Sequence, residues 1–303
     1  MNTIPVPVPP SPRALVLGGG GSVGNAWLIG VLAGLQDGGL DPTDVDLVIG
    51  TSAGATAAAQ MTAVELRPLL EATLSAAVTN TAGRAAPARA SASPAIDNRE
   101  RTQRIIDAAP NLAEMRRALG AAALELDAAA GEEWSARWRG IVASRLPSHA
   151  WPSTPVVLTA VDARTGDPVL LDRHGGVDLV DAVAASTSSG LPYRLGTARY
   201  LDGGYRTNAD NADLAAGYAQ VLVLSPFGGR SRTPAAWGTH LATQVEVLRA
   251  GGSAVVTVYP DDASLTAFGG DMMDVSRRPP AARAGFEQGR TLALEMAGWW
   301  ERR

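Results

Sequence analysis

Four consecutive glycines, residues 18–21, lie in the stretch LVLGGGGSVGNAWLIGVL between an apolar run and a segment with helical character. Each glycine loses more backbone freedom on folding than any other residue, so such a run is costly. It is expected only where side chains would obstruct something that approaches the backbone. Three partners fit: a dinucleotide pyrophosphate, a nucleoside triphosphate, or the negative oxygen of a reaction intermediate.

The segments around this loop predict an α/β fold. Residues 14–18 are typical of a short buried strand, and a helix is expected over about 23–36. A second strand at 46–50 is followed at once by a helical stretch. Strand, tight turn and helix in this order are typical of a parallel sheet. Later in the chain we expect two strands joined by a turn at Thr165-Gly166, strands at 221–225 and 254–259, and helices over 179–185, around His240 and Val245, and over 281–299.

Composition excludes several function classes. The 303 residues carry a formal net charge of −4, which argues against a nucleic-acid-binding surface. The chain has no cysteine and no lysine, which excludes thiolate catalysis, cysteine-ligated zinc, Schiff-base chemistry and the lysine of a P-loop. No apolar run reaches the roughly 18 residues needed to span a bilayer, and the Pro-rich N-terminus lacks the pattern of a signal peptide. We expect a cytoplasmic protein that binds no nucleic acid.

The glycine-rich loop matches the dinucleotide pattern G-x-G-x-x-G as Gly19, Gly21 and Gly24. A dinucleotide site also needs an acidic residue at the end of the second strand, to hold the ribose hydroxyls. Here Asp46 stands at the start of that strand instead. A P-loop would need a lysine where this chain has Asn25. Nucleotide binding is therefore the minority interpretation.

The second strand ends in GTSAG, residues 50–54, which matches G-x-S-x-G. In that motif the serine occupies a strained turn between strand and helix, and its hydroxyl stands clear of the sheet. The N-terminus of the following helix favours negative charge nearby. The pattern predicts a serine nucleophile at Ser52, although a glycine-serine turn that only caps a helix fits the same letters.

A serine nucleophile needs a base. The order Ser52, Asp202, His240 matches a hydrolase triad, but His240 is expected inside a helix, and His149 and His174 lie in loops. The better candidate is Asp202, because the two glycines that follow it let its carboxylate stand on a tight turn. An Asp-Gly-Gly sequence is otherwise simply a turn.

Together, GGGGSVG, GTSAG and DGG resemble the patatin-like phospholipase family. The resemblance runs from about residue 14 to 215 and includes the Ser-rich stretch STSSGLP before the aspartate. It implies a three-layer α/β/α fold with a mainly parallel central sheet. It also implies a Ser-Asp dyad that acts without a catalytic histidine, a metal or a cofactor. Many members carry Arg or Lys just before the last glycine of the loop, whereas this chain has Val23.

The resemblance assigns roles to individual residues of this chain. Ser52 becomes the nucleophile and Asp202 its base, while backbone N–H groups around Gly20, Gly21 and Ser22 form the oxyanion hole. Loss of one such donor typically costs ~3 kcal/mol of transition-state stabilisation. The expected site comprises Gly19, Gly20, Gly21, Ser22 and Gly24 in the loop, Gly50, Thr51, Ala53 and Gly54 around the nucleophile, and Gly203 and Gly204 after the aspartate.

The chain is expected to divide into a Pro-rich lead-in at 1–13, a catalytic domain at 14–215, and a C-terminal α/β extension at 216–303 that packs on the same core. Within the catalytic domain, about 68–150 is expected to be a lid or acyl-binding insertion. Trp134 and Trp138 lie there, four residues apart, and are expected to pack on the core, with transient contact to a membrane surface as the alternative. Arg277-Arg278 is expected to be solvated surface.

The expected substrate is an acyl ester, of a lipid or of another compound. Two alternatives remain open. The same dyad could transfer the acyl group to another acceptor or cleave a thioester, or the chain could be a nucleotide-binding regulatory protein that uses the glycine-rich loop. The sequence leaves the acyl length, the head group and the oligomeric state open.

Overall fold

The structure, a computed structural model, describes residues 12–79, 94–130 and 133–300. Most of the expected lead-in and residues 80–93 of the expected insertion lie outside these ranges. Within them, a sheet is formed by the strands β1 (Arg13–Leu17), β2 (Leu47–Gly50), β3 (Val156–Asp162), β4 (Pro168–Leu171), β5 (Tyr193–Leu195), β6 (Ala198–Asp202), β7 (Gln220–Leu224) and β8 (Ala254–Val258).

The sheet is mainly parallel, as the sequence predicted. The strand order is β5-β6-β3-β2-β1-β7-β8, and β4 pairs with β3 outside this path. β1, β2, β3, β7 and β8 are parallel to their neighbours among these five, whereas β4, β5 and β6 pair antiparallel. The carboxyl ends of β1 and β2 meet at one edge, so the loops that follow them meet there too. Asp202, the last residue of β6, pairs with Ala160 of β3 near the same edge.

Helices cover both faces of the sheet and complete three layers. They are α1 (Gly21–Asp37), α2 (Ala53–Met61), α3 (Leu66–Thr79), α4 (Pro94–Ala108), α5 (Leu112–Ala130), α6 (Glu133–Arg145), α7 (Leu179–Ser186), α8 (Leu241–Ala250), α9 (Asp262–Phe268) and α10 (Arg278–Trp300). Leu15 and Leu17 of β1 pack into a core with α1, α2, α7 and α10, and Ala14 and Val16 pack into another with α8. Because both faces of β1 are covered, its residues are apolar without alternation after Arg13.

The first and last helices pack closely and run in the same direction. A Cβ atom on Gly30 would lie 2.2 Å from the carbonyl oxygen of Ala282, and one on Gly34 would lie 2.1 Å from that of Phe286. The glycines therefore let the two backbones approach to a distance that side chains would forbid. Since these contacts advance in step along both helices, α10 begins beside the start of α1.

Of the helices in the expected insertion, α3 packs against α1 and α10, α4 packs against α5, and α6 packs against α7. Trp134 and Trp138 stack with ring centroids 6.1 Å apart and pack against the main core. The indole N–H of Trp138 donates to the carbonyl oxygen of Ala184, at 3.3 Å. These contacts agree with the expectation that the pair packs on the core. No helix in the described ranges has the length and hydropathy to cross a membrane.

Candidate active site

A strained serine occupies the turn between β2 and α2. Ser52 has φ +52° and ψ −112°, a conformation that L-residues rarely adopt. A Cβ atom on Gly54 would lie 1.8 Å from the carbonyl oxygen of Leu17, and one on Gly50 would lie 2.7 Å from the Cα atom of Ala55. Both glycines of GTSAG are therefore required by backbone packing. The turn leaves the Ser52 side chain half-buried, on the rim of the sheet.

Asp202 is buried at the end of β6 and faces this serine. The Ser52 hydroxyl donates to Asp202 Oδ2 at 2.7 Å, and the Gly204 N–H donates to Asp202 Oδ1 at 2.8 Å. Both carboxylate oxygens are thus engaged. A Cβ atom on Gly203 would lie 2.0 Å from Thr159 Oγ1, so the turn after the aspartate also needs glycine.

Burial dominates the electrostatics of this aspartate. It raises the pKa of Asp202 from 3.8 to about 6, while the hydrogen bonds from Gly204 and Ser52 act in the opposite direction. Desolvation disfavours the charged carboxylate, whereas donors to it favour the charge. Asp202 is therefore mainly ionised at pH 7 and binds a proton more readily than an exposed aspartate does.

The glycine-rich loop lies beside the serine. A Cβ atom on Gly19 would lie 3.6 Å from the Cβ atom of Ser52. Within the described part of the chain, the N–H groups of Gly20, Gly21 and Ser22 donate no hydrogen bond. The last two belong to the first turn of α1, where N–H groups have no partner within the helix. They are consequently available to a negatively charged oxygen.

Protein atoms also explain why this loop is built of glycine. A Cβ atom on Gly20 would lie 2.5 Å from the Cβ atom of Pro226. Gly21 has φ +62°, and a Cβ atom there would lie 2.7 Å from the carbonyl oxygen of Met272. That same carbonyl accepts a hydrogen bond from the Val23 N–H at 3.0 Å. The close neighbours of the glycines therefore include two segments from the C-terminal third of the chain.

The Ser-rich stretch before the aspartate contacts both members of the pair. The Ser52 N–H donates to Ser186 Oγ at 3.0 Å, and the Asp202 N–H donates to the carbonyl oxygen of Ser188 at 2.8 Å. Ser186 and Ser188 are both buried. This stretch therefore connects the backbones that carry the serine and the aspartate.

Asn211 makes a second connection, which the sequence did not reveal. Its side-chain amide donates to Thr51 Oγ1 and to the Gly203 carbonyl oxygen, each at 3.0 Å, and lies 3.4 Å from Thr159 Oγ1. Its own oxygen accepts from Thr207 Oγ1 at 2.7 Å. Asn211 is fully buried and has φ +55°, a left-handed conformation that asparagine tolerates better than most residues. It joins the residue before the candidate nucleophile to the residue after the candidate base.

Asp210 is a second buried acid near the glycine-rich loop. Its Oδ1 atom would lie 2.2 Å from a Cβ atom on Gly18, and among the described residues this oxygen has no hydrogen-bond partner. Burial raises the pKa of Asp210 to about 7, and a hydrogen bond with Ser225 acts in the opposite direction.

The histidines have other partners. His240 is the residue before α8, not a residue within the helix as expected, and its Nε2 atom lies 2.7 Å from the carbonyl oxygen of Thr233. His149 Nε2 lies 3.0 Å from the carbonyl oxygen of Ala143, and His174 is exposed. Since the described contacts of the Ser52 hydroxyl include Asp202 and none of these rings, the geometry favours the dyad over the triad.

A family model described as patatin-like phospholipase matches residues 15–215 of the chain. Among solved structures, VipD from Legionella pneumophila superposes with a TM-score of 0.46 at 12% identity, over 95% of this chain and 67% of that one. The type III effector protein ExoU superposes with a TM-score of 0.39 at 15% identity, over 96% of this chain and 53% of that one, so this chain spans about half of its length. A comparison with curated protein sequences found no significant match.

Proposed function

The chain belongs to the patatin-like phospholipase family, and we propose that it hydrolyses acyl esters of lipids through Ser52 and Asp202. Family membership supports lipid hydrolase activity. The observation that carries the finer proposal is the 2.7 Å hydrogen bond from the hydroxyl of a strained serine to a buried carboxylate.

In the first step, Asp202 accepts the hydroxyl proton while Ser52 Oγ attacks the carbonyl carbon of the ester. The carbonyl oxygen becomes negative, and the free N–H groups of Gly20, Gly21 and Ser22 stabilise that charge. When the intermediate collapses, the bond to the alcohol breaks and the alcohol leaves with the proton held by Asp202. Ser52 then carries the acyl group as an ester.

In the second step, water attacks the acyl-serine and Asp202 accepts a proton from that water. The same N–H groups stabilise the second negative intermediate. The bond between the acyl group and Ser52 breaks, the serine regains a proton, and the carboxylic acid is released. An alcohol acceptor in place of water would turn the same cycle into acyl transfer.

The raised pKa of the base suits this cycle. A general base works best when its pKa is close to the working pH, provided that it is still ionised. With a pKa of about 6, Asp202 meets both conditions near pH 7. The short bond to Ser52 supplies the contact through which the proton moves.

We assign acyl-chain binding to the insertion at 68–150. A cleft of about 590 Å³ lies between α4 and α5 and is lined mainly by apolar side chains such as Ile105 and Ala118. Arg101 and Ile105 also border a cavity of about 10 Å³ beside Leu201 and Tyr205. Tyr205 follows the aspartate turn directly, so this cavity, large enough for about one water molecule, links residues that line the cleft to a residue beside the dyad. An apolar cleft of this size accommodates a hydrocarbon chain.

The test is hydrolysis of p-nitrophenyl esters over a series of chain lengths, comparing the unmodified chain with Ser52→Ala and Asp202→Asn. Each substitution should lower kcat by about a thousandfold or more, because the triad of other serine hydrolases shows losses of that order. Ser153→Ala and Asp262→Asn, at exposed positions outside the insertion, serve as matched controls and should keep full activity. A fluorophosphonate should label Ser52 in the unmodified chain.

Each contrary result has a definite meaning. Full activity in Asp202→Asn beside an inactive Ser52→Ala would remove Asp202 as base. If the chain transfers an acyl group to an added alcohol but does not hydrolyse the esters, the transferase alternative is favoured. Nucleotide binding that survives Ser52→Ala, without fluorophosphonate labelling, would favour the regulatory protein.

A further inference from the structure

A segment near the C-terminus crosses the start of α1. This strap, residues 272–278, lies outside the range matched by the family model. Its Met272 carbonyl accepts the Val23 N–H at 3.0 Å and closes the space beside Gly21. The strap therefore contacts the turn that carries the free N–H groups of the loop.

The strap ends in an arginine that binds this turn directly. The Arg278 guanidinium donates to the carbonyl oxygen of Ser22 at 2.7 Å and reaches Ser22 Oγ at 3.4 Å. Both of its terminal nitrogens donate to Asn25 Oδ1 at 3.1 Å. The expectation that Arg277-Arg278 is solvated surface is thus wrong for Arg278, because α10 begins beside α1. Arg277 is exposed as expected.

From Asn25 the hydrogen bonds continue to the helix behind the nucleophile. Asn25 Nδ2 donates to Gln60 Oε1 at 3.1 Å and lies 3.4 Å from the carbonyl oxygen of Ala53, the residue after Ser52. Gln60 Nε2 donates to the carbonyl oxygen of Arg145 at 3.0 Å. Asn25 and Gln60 are buried. Arg278 is therefore the outer member of a polar chain that joins α10, α1, α2 and α6.

The charge of Arg278 is placed where it does not favour the helix that it contacts. Cations stabilise the C-terminal end of a helix, and anions stabilise the N-terminal end. A guanidinium at the first turn of α1 therefore adds positive potential where the N–H dipoles already provide it. The loop itself, residues 18–24, consists of glycine, serine and valine only. Arg278 is consequently the cation that this turn receives from another part of the chain.

We infer that Arg278 is a positioning residue, which holds the turn at Ser22 so that the N–H groups of Gly20, Gly21 and Ser22 point at the acyl oxygen. The inference rests on the proposed function, because it concerns stabilisation of the oxyanion. A charge-assisted hydrogen bond is stronger than a neutral one; here it fixes the peptide unit between Ser22 and Val23, which directly follows the Ser22 N–H in the turn. Its positive charge also raises the potential at the site.

The experiment compares Arg278→Gln and Arg278→Lys with Arg283→Gln, an exposed position on the same helix. In Arg278→Gln, kcat for p-nitrophenyl esters should fall about 10- to 100-fold with KM within about twofold, since one oxyanion donor is worth roughly 100-fold or more. Fluorophosphonate labelling of Ser52 should slow by a similar factor. Arg278→Lys should recover part of the rate, and Arg283→Gln should match the unmodified chain.

A second readout does not depend on turnover. Hydrogen exchange at the amides of Val23 and Gly24, which donate to the carbonyl oxygens of Met272 and Gly20, should accelerate in Arg278→Gln relative to Arg283→Gln, while exchange in the strands of the sheet stays unchanged. Unchanged kcat and unchanged exchange would overturn the inference, and so would a rise in KM alone, which would make Arg278 a substrate contact. If the unmodified chain neither turns over esters nor reacts at Ser52, the proposed function fails, and the exchange result still decides whether Arg278 orders the loop.

Discussion

The two halves of the candidate site are held in place by different parts of the chain. The Ser52–Asp202 pair is fixed by residues of the region that the family model matches, through Ser186, Ser188 and Asn211. The glycine-rich loop also belongs to that region and contacts Ala209 and Asp210 within it, but most of its supports lie beyond it. The Gly18 N–H donates to the Leu224 carbonyl oxygen, and Pro226, Met272 and Arg278 close around the turn at 20–23.

The residues that form a sequence motif and the residues that hold it in place can therefore lie in different parts of the sequence. The candidate nucleophile and its base can be held by nearby turns, because β2 and β6 flank β3 and end at nearly the same level along it, with Gly50 paired to Leu158 and Asp202 paired to Ala160. A loop of glycines has no side chains with which to hold itself, so its shape depends on whatever packs against it. Substitutions around the Ser52–Asp202 pair and substitutions around the glycine-rich loop should therefore impair activity in different ways.

The largest loss of activity that affects the Ser52–Asp202 pair without affecting the glycine-rich loop is expected on substitution of Asn211. Asn211→Ala should lower kcat by about a hundredfold, since a misplacement of about 1 Å in a catalytic group can cost that much. It should also destabilise the fold by roughly 2–4 kcal/mol, because buried acceptors at Thr51 and Gly203 lose their donor. Steady-state kinetics and urea unfolding measure the two effects.

Asn211→Gly is the matched control for the backbone. Glycine adopts φ +55° without strain, so it removes the side chain and leaves the conformation. It should be less destabilising than alanine while losing as much activity. If Asn211→Gly keeps the full rate, the side chain does not position the dyad. The glycine-rich loop should be unaffected in both variants, with unchanged hydrogen exchange at the amides of Val23 and Gly24.

The next effect is the dependence of kcat/KM on pH, which involves only the Ser52–Asp202 pair. Since Asp202 acts as a carboxylate and has a pKa of about 6, kcat/KM should fall about tenfold for each pH unit below 6 and level off above it. Measurement of kcat/KM from pH 4.5 to 8.5 tests this fall on the acid side, the acid limb of the profile. In Arg278→Gln the profile should be lower throughout and keep the same midpoint, because Arg278 is not among the groups that shift the pKa of Asp202.

His240 provides the control for this profile, since a histidine base would also give an acid limb in this range. In His240→Gln the limb should persist, because the His240 ring contacts the Thr233 carbonyl oxygen. Loss of the limb together with most of the activity in this variant would restore the triad of Ser52, Asp202 and His240.

Much of the fold could be predicted because its strands carry their own signal. β1, β2 and β7 are apolar runs that are buried on both faces, and such runs are recognisable without knowledge of their partners. The hairpin of β5 and β6 gave no such signal. Arg194 and Arg199 lie in these short strands and pair with Asp127 of α5, at 2.7 and 3.0 Å. These two long-range ion pairs support the hairpin, and no local periodicity in the sequence indicates them.

The same limit applies to the candidate site. Ser52 and Asp202 could be selected as candidates from the sequence, because the tight turns that carry them require glycine and so produce the short motifs GTSAG and DGG. Asn211 and Arg278 act through contacts with residues distant in the sequence, and neither has a motif around it. An asparagine at position 211 does not by itself indicate a left-handed residue in the site, since asparagine is also common in ordinary turns. Arg278 could be placed only once the packing of α10 against α1 was known.

The smallest effect on activity, and a clear one on stability, is expected at Asp210, which lies where the two halves meet. Its neighbour Ala209 accepts the Gly19 N–H, and its own carboxyl group packs under Gly18. The folded pKa of about 7 stands above the unfolded value of 3.8, so between these values the folded state holds a proton that the unfolded state has lost. The free energy of unfolding should therefore fall as the pH rises from about 4 to 7.

Asp210→Asn removes this ionisation without changing the shape of the side chain. Above pH 7 the variant should be more stable than the unmodified chain by roughly 2–4 kcal/mol, and near pH 4 the two should agree within about 1 kcal/mol. Urea unfolding from pH 4 to 8 measures the difference, and subtraction cancels the contribution of Asp202, which both proteins share. Parallel curves would mean that the carboxyl group ionises without penalty. Because Asp210 touches neither the Ser52 hydroxyl nor the free N–H groups, kcat at pH 8 should change by less than about threefold, and a larger loss would show that the two halves depend on each other through the loop at 209–211.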